Sequence, residues 1–109
     1  MATGRLGATD LTSTSDTNVY GPVAASTFTV ATVSLCNRGA STVQVRIAVS
    51  TSATTPANGE YIEYDANITA KGVLERTGIV MDAGKYILVK SSAANVISAV
   101  VMGIETSTA

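Results

Sequence analysis

From Val19 onward, apolar and polar residues alternate with a period of two, the pattern of strands that bury one face. The clearest stretch is 43–50, where Val43, Val45, Ile47 and Val49 interleave with Gln44, Arg46, Ala48 and Ser50. A strand over 86–90 sets Ile87 and Val89 on one side. In the last predicted strand, 95–105, Val96, Val100, Met102 and Ile104 share one parity while Ala99 and Val101 take the other. Both of its sides are therefore expected to be partly covered. Over 27–37, Phe28 and Val30 fall on one parity and Val33 and Leu35 on the next, which predicts a bulge near Ala31-Thr32. Shorter strands are predicted over 19–23, 60–64 and 73–81, with 65–72 a loop holding a brief extended piece at Ile68. Gly21-Pro22 interrupts the first of these and suits a sheet edge, because proline has no N–H to give a ladder.

No window carries a useful helical stripe, and β-branched residues dominate the periodic segments. Strands spaced about 8–12 residues apart and joined by turn chemistry predict an all-β antiparallel sandwich, either immunoglobulin-like Greek key or jelly roll. Residues 1–18 are rich in Gly, Thr and Ser and read as an extended N-terminal arm, with 19–109 as the sandwich domain. Arg5, Leu6 and Leu11 are the arm's anchors for assembly. Such an arm pairs with its own domain's edge, reaches a neighbouring subunit, or stays disordered. Asp82, Gly84 and Tyr86 read as a tyrosine corner, in which the Tyr86 hydroxyl bonds back across an arch. The paired cysteines and core tryptophan of immunoglobulin domains are missing.

Composition changes this picture in one respect. Charged residues make up 14% of the 109, against roughly 25% in an ordinary soluble domain. A small surface so poor in charge is expected to be covered by copies or partners. Net charge is −1 and the seven Lys and Arg are scattered, so a phosphate-neutralising stripe is not expected. No apolar run reaches the ~20 residues that cross a bilayer, and the start lacks a secretory h-region. Neither nucleic acid nor membrane is expected as a partner. Cys36 is alone, so no intrachain disulfide forms, and it reads as a small buried hydrophobe.

Candidate chemistry is thin. With no histidine, the commonest base near neutral pH and the commonest zinc ligand are both missing. Strand parity puts Glu60 and Glu63 on opposite faces. Glu63 and Asp65 share a parity but sit at a strand end and read as solvated. Asp10, Asp16 and the Asp65-Ala66-Asn67 run offer oxygens to calcium without a dense ligand spacing, and read as turn formers. No catalytic residue, cofactor or metal ligand is predicted. Tyr20, Tyr61, Tyr64 and Tyr86 are the candidates for stacking on an apolar sugar face.

Several short motifs span nearly the whole chain: Gly4-Arg5-Leu6-Gly7 with Asp10-Leu11, Asn37-Arg38-Gly39, Tyr61-Ile62-Glu63-Tyr64-Asp65, Gly72-Val73-Leu74-Glu75-Arg76-Thr77-Gly78, and Gly103-Ile104-Glu105. Together they resemble a family of small structural proteins encoded by tailed bacteriophages, including marine and cyanobacterial ones. The resemblance implies a virion component, made in the host cytoplasm and used in many copies as capsid decoration or a tail-associated part. Its implied partners are itself, as a trimer or other closed ring, and virion proteins such as the major capsid protein. The competing expectation is a tail- or fibre-associated module that binds a receptor or glycan.

Overall fold

The fold is described from a computed structural model covering residues 2–108. Eight strands follow one another: β1 (Thr3–Asp10), β2 (Thr17–Tyr20), β3 (Thr27–Asn37), β4 (Val43–Ser50), β5 (Tyr61–Ile68), β6 (Val73–Met81), β7 (Tyr86–Ser91) and β8 (Ile97–Ser107), with one 3-10 turn, Asn58–Glu60, before β5. They form two four-stranded antiparallel sheets, β1-β8-β3-β6 and β2-β7-β4-β5, hereafter sheets A and B. First pairs with eighth, second with seventh, third with sixth and fourth with fifth. This is a jelly roll: an antiparallel ribbon wrapped into two facing sheets.

The core lies between the sheets. Ala31, Val33, Leu35, Ala99 and Val101 point inward from sheet A, and Val45, Ile47, Ile87 and Val89 meet them from sheet B. β3 and β8 pair without interruption from Thr27↔Ser107 to Asn37↔Ile97, giving sheet A a long regular spine. Gly103 allows that spine to close. A Cβ there would come within 2.1 Å of the Val30 carbonyl oxygen, on a backbone that cannot yield cheaply.

Three sequence expectations change. β3 buries its odd-numbered residues along its whole length, so no phase change occurs and Phe28 and Val30 face outward. The bulge near Ala31-Thr32 is carried by the partner strand. Ile79 pairs with Ala31 and Arg76 with Val33, which leaves an extra residue on β6 beside Gly78 at φ +69°. β5 continues through the predicted loop to Ile68, with two register shifts against β4. At the second end of the chain's pattern, Ala99 and Val101 enter the core while Val100, Met102 and Ile104 face out, as the two-sided reading of β8 expects.

The first eighteen residues are not separate from the sandwich. β1 is the edge strand of sheet A, paired with β8 from Thr3↔Ile104 to Asp10↔Ser98. Leu11 is wholly buried, its N–H donating to Ile97 O and its carbonyl accepting from Asn95 N–H. β2 then crosses to the edge of sheet B. The division at residue 18 therefore matches no structural boundary.

Candidate functional site

The chain presents two outer faces of different chemistry. On sheet A, inter-strand register sets the outward residues in rows across the four strands. One row runs Val80, Val30, Ile104, Thr3, and the next along the strands includes Thr32, Met102 and Arg5. Glu75, Ser34, Val100 and Ala8 form the row beyond, and Val73, Cys36, Ser98 and Asp10 the last. Five large apolar side chains are exposed among the described residues. Four of them, Val30 (41%), Val73 (61%), Val80 (69%) and Ile104 (53%), belong to this face. Singly exposed apolar residues are normal, but a contiguous apolar patch marks an interaction surface.

Charge on this face is confined to its edges. Asp10 is neutralised by Arg38 at 2.6 Å. Arg5 on β1 and Glu75 on β6 have no ion-pair partner among the described residues.

The outer face of sheet B is built around Arg46. Its guanidinium donates to both Asp65 oxygens, Nε–Oδ1 2.7 Å and Nη2–Oδ2 3.3 Å, and lies 3.9 Å above the Tyr64 ring. Tyr64 meets Tyr61 edge-to-face with ring centres 5.1 Å apart. The pairing holds the Asp65 carboxyl below its usual range, first through the hydrogen bond from Arg46, and raises the arginine further above its own. Gln44, Lys90 and Ser92 complete a shallow recess of about 200 Å³ beside this cluster.

A β5 bulge makes the cluster possible. Val45 pairs with Ala66 and Ile47 with Glu63, so β5 has one residue too many, and Asp65 takes φ +54°. That extra residue breaks the parity expected for Glu63 and Asp65. Asp65 turns outward to Arg46, while Glu63 turns to the open side of the sandwich and pairs with Arg76 of β6 at 3.2 Å. Glu60 folds back into the preceding loop, accepting from the N–H groups of Ala57 and Thr51. The three carboxylates do not converge, and no three metal-ligating side chains come together among the described residues.

The tyrosine that ties the sheets together is Tyr20. Its hydroxyl donates to Glu105 Oε2 at 2.5 Å and accepts from Thr29 Oγ1 at 2.8 Å, linking β2 to β8 and β3. Burial, and then the bond to Glu105, raises the Tyr20 pKa. The same bond, aided by the Ala2 N–H, lowers that of Glu105. The predicted corner differs accordingly. Gly84 does turn the chain at φ +83°, with its N–H on Val23 O, and Asp82 pairs with Lys85 at 3.2 Å. The Tyr86 hydroxyl, however, makes no hydrogen bond among the described residues. Its ring packs instead against Gly21, where a Cβ would meet Tyr86 Cδ2 at 3.0 Å. Tyr86 pairs with Ser50, on the parity of β7 opposite to the core residues Ile87 and Val89.

Of the three arm residues, Leu11 is in the subunit's own core and Leu6, at the β1 bulge, packs partly against it. Arg5 alone points to solvent, on the outer face of sheet A. Sequence reasoning missed Asn37, which is fully buried. Its Nδ2 donates to the carbonyls of Ser41, Ile68 and Thr69, and its Oδ1 accepts from Gly39 N–H. One amide thus fastens the β3–β4 turn to the β5–β6 turn. The Asn-Arg-Gly run was the available signal, since asparagine commonly bonds nearby backbone in turns.

No protein family matches the sequence, and no curated relative does either. One solved structure that resembles the chain is the Anabaena sensory rhodopsin transducer, 12% identical, with a TM-score of 0.41 over 79% of this chain and 91% of that one. So distant a likeness carries no argument about function.

Proposed function

We propose that this chain is a non-enzymatic structural protein that works by assembling in many copies, as a component of a bacteriophage virion. The observation that carries the assembly reading is the exposed apolar row Val80–Val30–Ile104, which crosses three of the four strands of sheet A. A monomeric surface gains nothing from that row, whereas a partner removes it from water. Low overall charge points the same way. The virion assignment rests on the family resemblance of the sequence motifs. The fold is compatible, since jelly rolls occur in viral capsid and lectin domains, though a fold alone assigns no function. Capsid decoration, with the major capsid protein as the underlying lattice, is the role proposed within the particle.

Two measurements test this. Light scattering is expected to give a mass above one subunit at micromolar concentration. Mass spectrometry of purified particles of a phage that encodes the chain is expected to find it in stoichiometric amount. Particles lacking the polypeptide would refute the virion role.

The Tyr61–Tyr64–Arg46 cluster favours a second reading as a receptor- or glycan-binding module. An exposed tyrosine beside hydrogen-bonding side chains suits a sugar, whose apolar face stacks while its hydroxyls find partners. A glycan array with signals that vanish in Tyr64→Ala supports that reading, and an array without signals removes it.

A further inference from the structure

The arrangement of charge on sheet A specifies more than stickiness. We infer that two copies pack sheet A against sheet A about a two-fold axis that runs along the strands, between β8 and β3. This rests on the assembly reading above and names the partner as a second copy of this chain.

Such an axis reverses the strand order of the facing copy, so β1 lies over the partner's β6 and β8 over the partner's β3. Height along the strands is preserved. Val30 of one copy then covers Ile104 of the other, and the reverse, joining the two apolar rows into one dry strip toward one end of the strands. Arg5 stands at the level of Met102 and Thr32, and Glu75 at the level of Ser34 and Val100. They are thus at opposite edges of the face and one row apart. One row is about 7 Å along a strand, within the combined reach of an arginine and a glutamate across facing sheets about 10 Å apart. Each copy therefore brings a cation to an anion, neither with an ion-pair partner among the described residues of its own chain, and the two-fold makes the contact twice.

The alternative axis, across the strands at the level of Arg5, stacks β1 on β1 and sets Arg5 against its own copy. Like charges there oppose association. The outer face of sheet B is an inferior partner, because the Arg46–Asp65 pair and Lys90 would lose water against valines.

Size is sufficient. Strands of 8 to 11 residues, at about 3.3 Å per residue and about 4.8 Å between strands, outline a face on the order of 500 Å². Corrugated by side chains, that approaches the roughly 800 Å² per partner of a standard interface.

Sedimentation equilibrium on the full chain tests the geometry, with far-ultraviolet circular dichroism and Tm confirming each variant's fold. Val80→Glu, at a site 69% exposed, leaves the monomer intact and is expected to weaken dimerisation at least about tenfold. Arg5→Glu and Glu75→Arg are each expected to weaken it about three- to tenfold. The double exchange, Arg5→Glu with Glu75→Arg, is expected to return affinity to within about twofold of the original. Weakening without rescue overturns the two-fold geometry while leaving self-assembly standing. A dimer indifferent to Val80→Glu overturns the sheet A face as its interface. A wild-type chain that stays monomeric at hundreds of micromolar overturns both this inference and the assembly reading.

Discussion

The two sheets hold equal numbers of strands and share one core, yet they differ in regularity and in what they show to solvent. Sheet A is built on two 11-residue central strands in unbroken register, with one bulge in each of its edge pairings, and presents valine, isoleucine and methionine outward. Sheet B has shorter strands, an edge bulged twice, and an outward cluster in which arginine, aspartate and tyrosine satisfy one another. The bulges are what concentrate side chains at one spot, because an extra residue swings its neighbours onto the same face. The unbroken β3–β8 spine of sheet A spreads its outward residues into rows. Rows suit another flat surface, and clusters suit a small ligand.

The largest expected effect falls on that spine. Gly103→Ala puts a Cβ into the Val30 carbonyl and forces β3 from β8, for a loss of about 3 kcal/mol or more in urea unfolding. A change below 1 kcal/mol would mean that the spine is more yielding than its register suggests. Next is Asn37→Ala, which takes their side-chain partner from the Gly39 N–H and from the Ser41 and Ile68 carbonyls at the turns joining the sheets, while Thr69 O keeps the Gly72 N–H. About 2–4 kcal/mol is expected to be lost.

Stability also depends on pH. The Glu105 pKa is lowered in the fold, so its stabilisation is complete above the unfolded value of about 4.3 and disappears as pH falls through the folded one. A Tm series from pH 6 to 3 should therefore decline less steeply in Glu105→Gln than in the wild type. Asp65 is lowered in the same direction but lies in the exposed cluster of sheet B, so Asp65→Asn should flatten the decline less. The smallest effect is expected from Tyr64→Ala. Tyr64 is 60% exposed, and losing its contact with Arg46 should cost about 1 kcal/mol or less. A larger loss would make the cluster a structural element of sheet B.

Alternation alone located β4, β7 and β8, because each has one face in the core and β-branched residues to mark it. It failed where a strand's outer face is also apolar. Phe28 and Val30 look like core residues by type, and only the pairing with β8 shows that they face outward. β1 was illegible as a strand because Gly4, Gly7 and the threonines carry no period. What makes it one is the edge offered by β8, about a hundred residues away. Tyr86 follows a familiar turn in sequence, whereas Tyr20 acquires its role from Glu105, a long-range contact that no local motif records. The Arg46–Tyr64–Asp65 cluster was hidden for a related reason, since register shifts on β5 decide which residues meet. The resemblance to phage structural proteins suggests the proposed role and points to no residue-level site.

The pairing of first strand with last has a consequence for how the molecule comes into being. β8 fills the slot between β1 and β3, so sheet A stays split into an orphan strand and a β3–β6 pair until the final segment arrives. Closing such distant contacts is slow. On the ribosome the early strands wait with open edges while the rest of the chain is made. Deleting β8 would therefore do more than shorten the protein, because it would leave β1 with nothing to bind and the core without a lid.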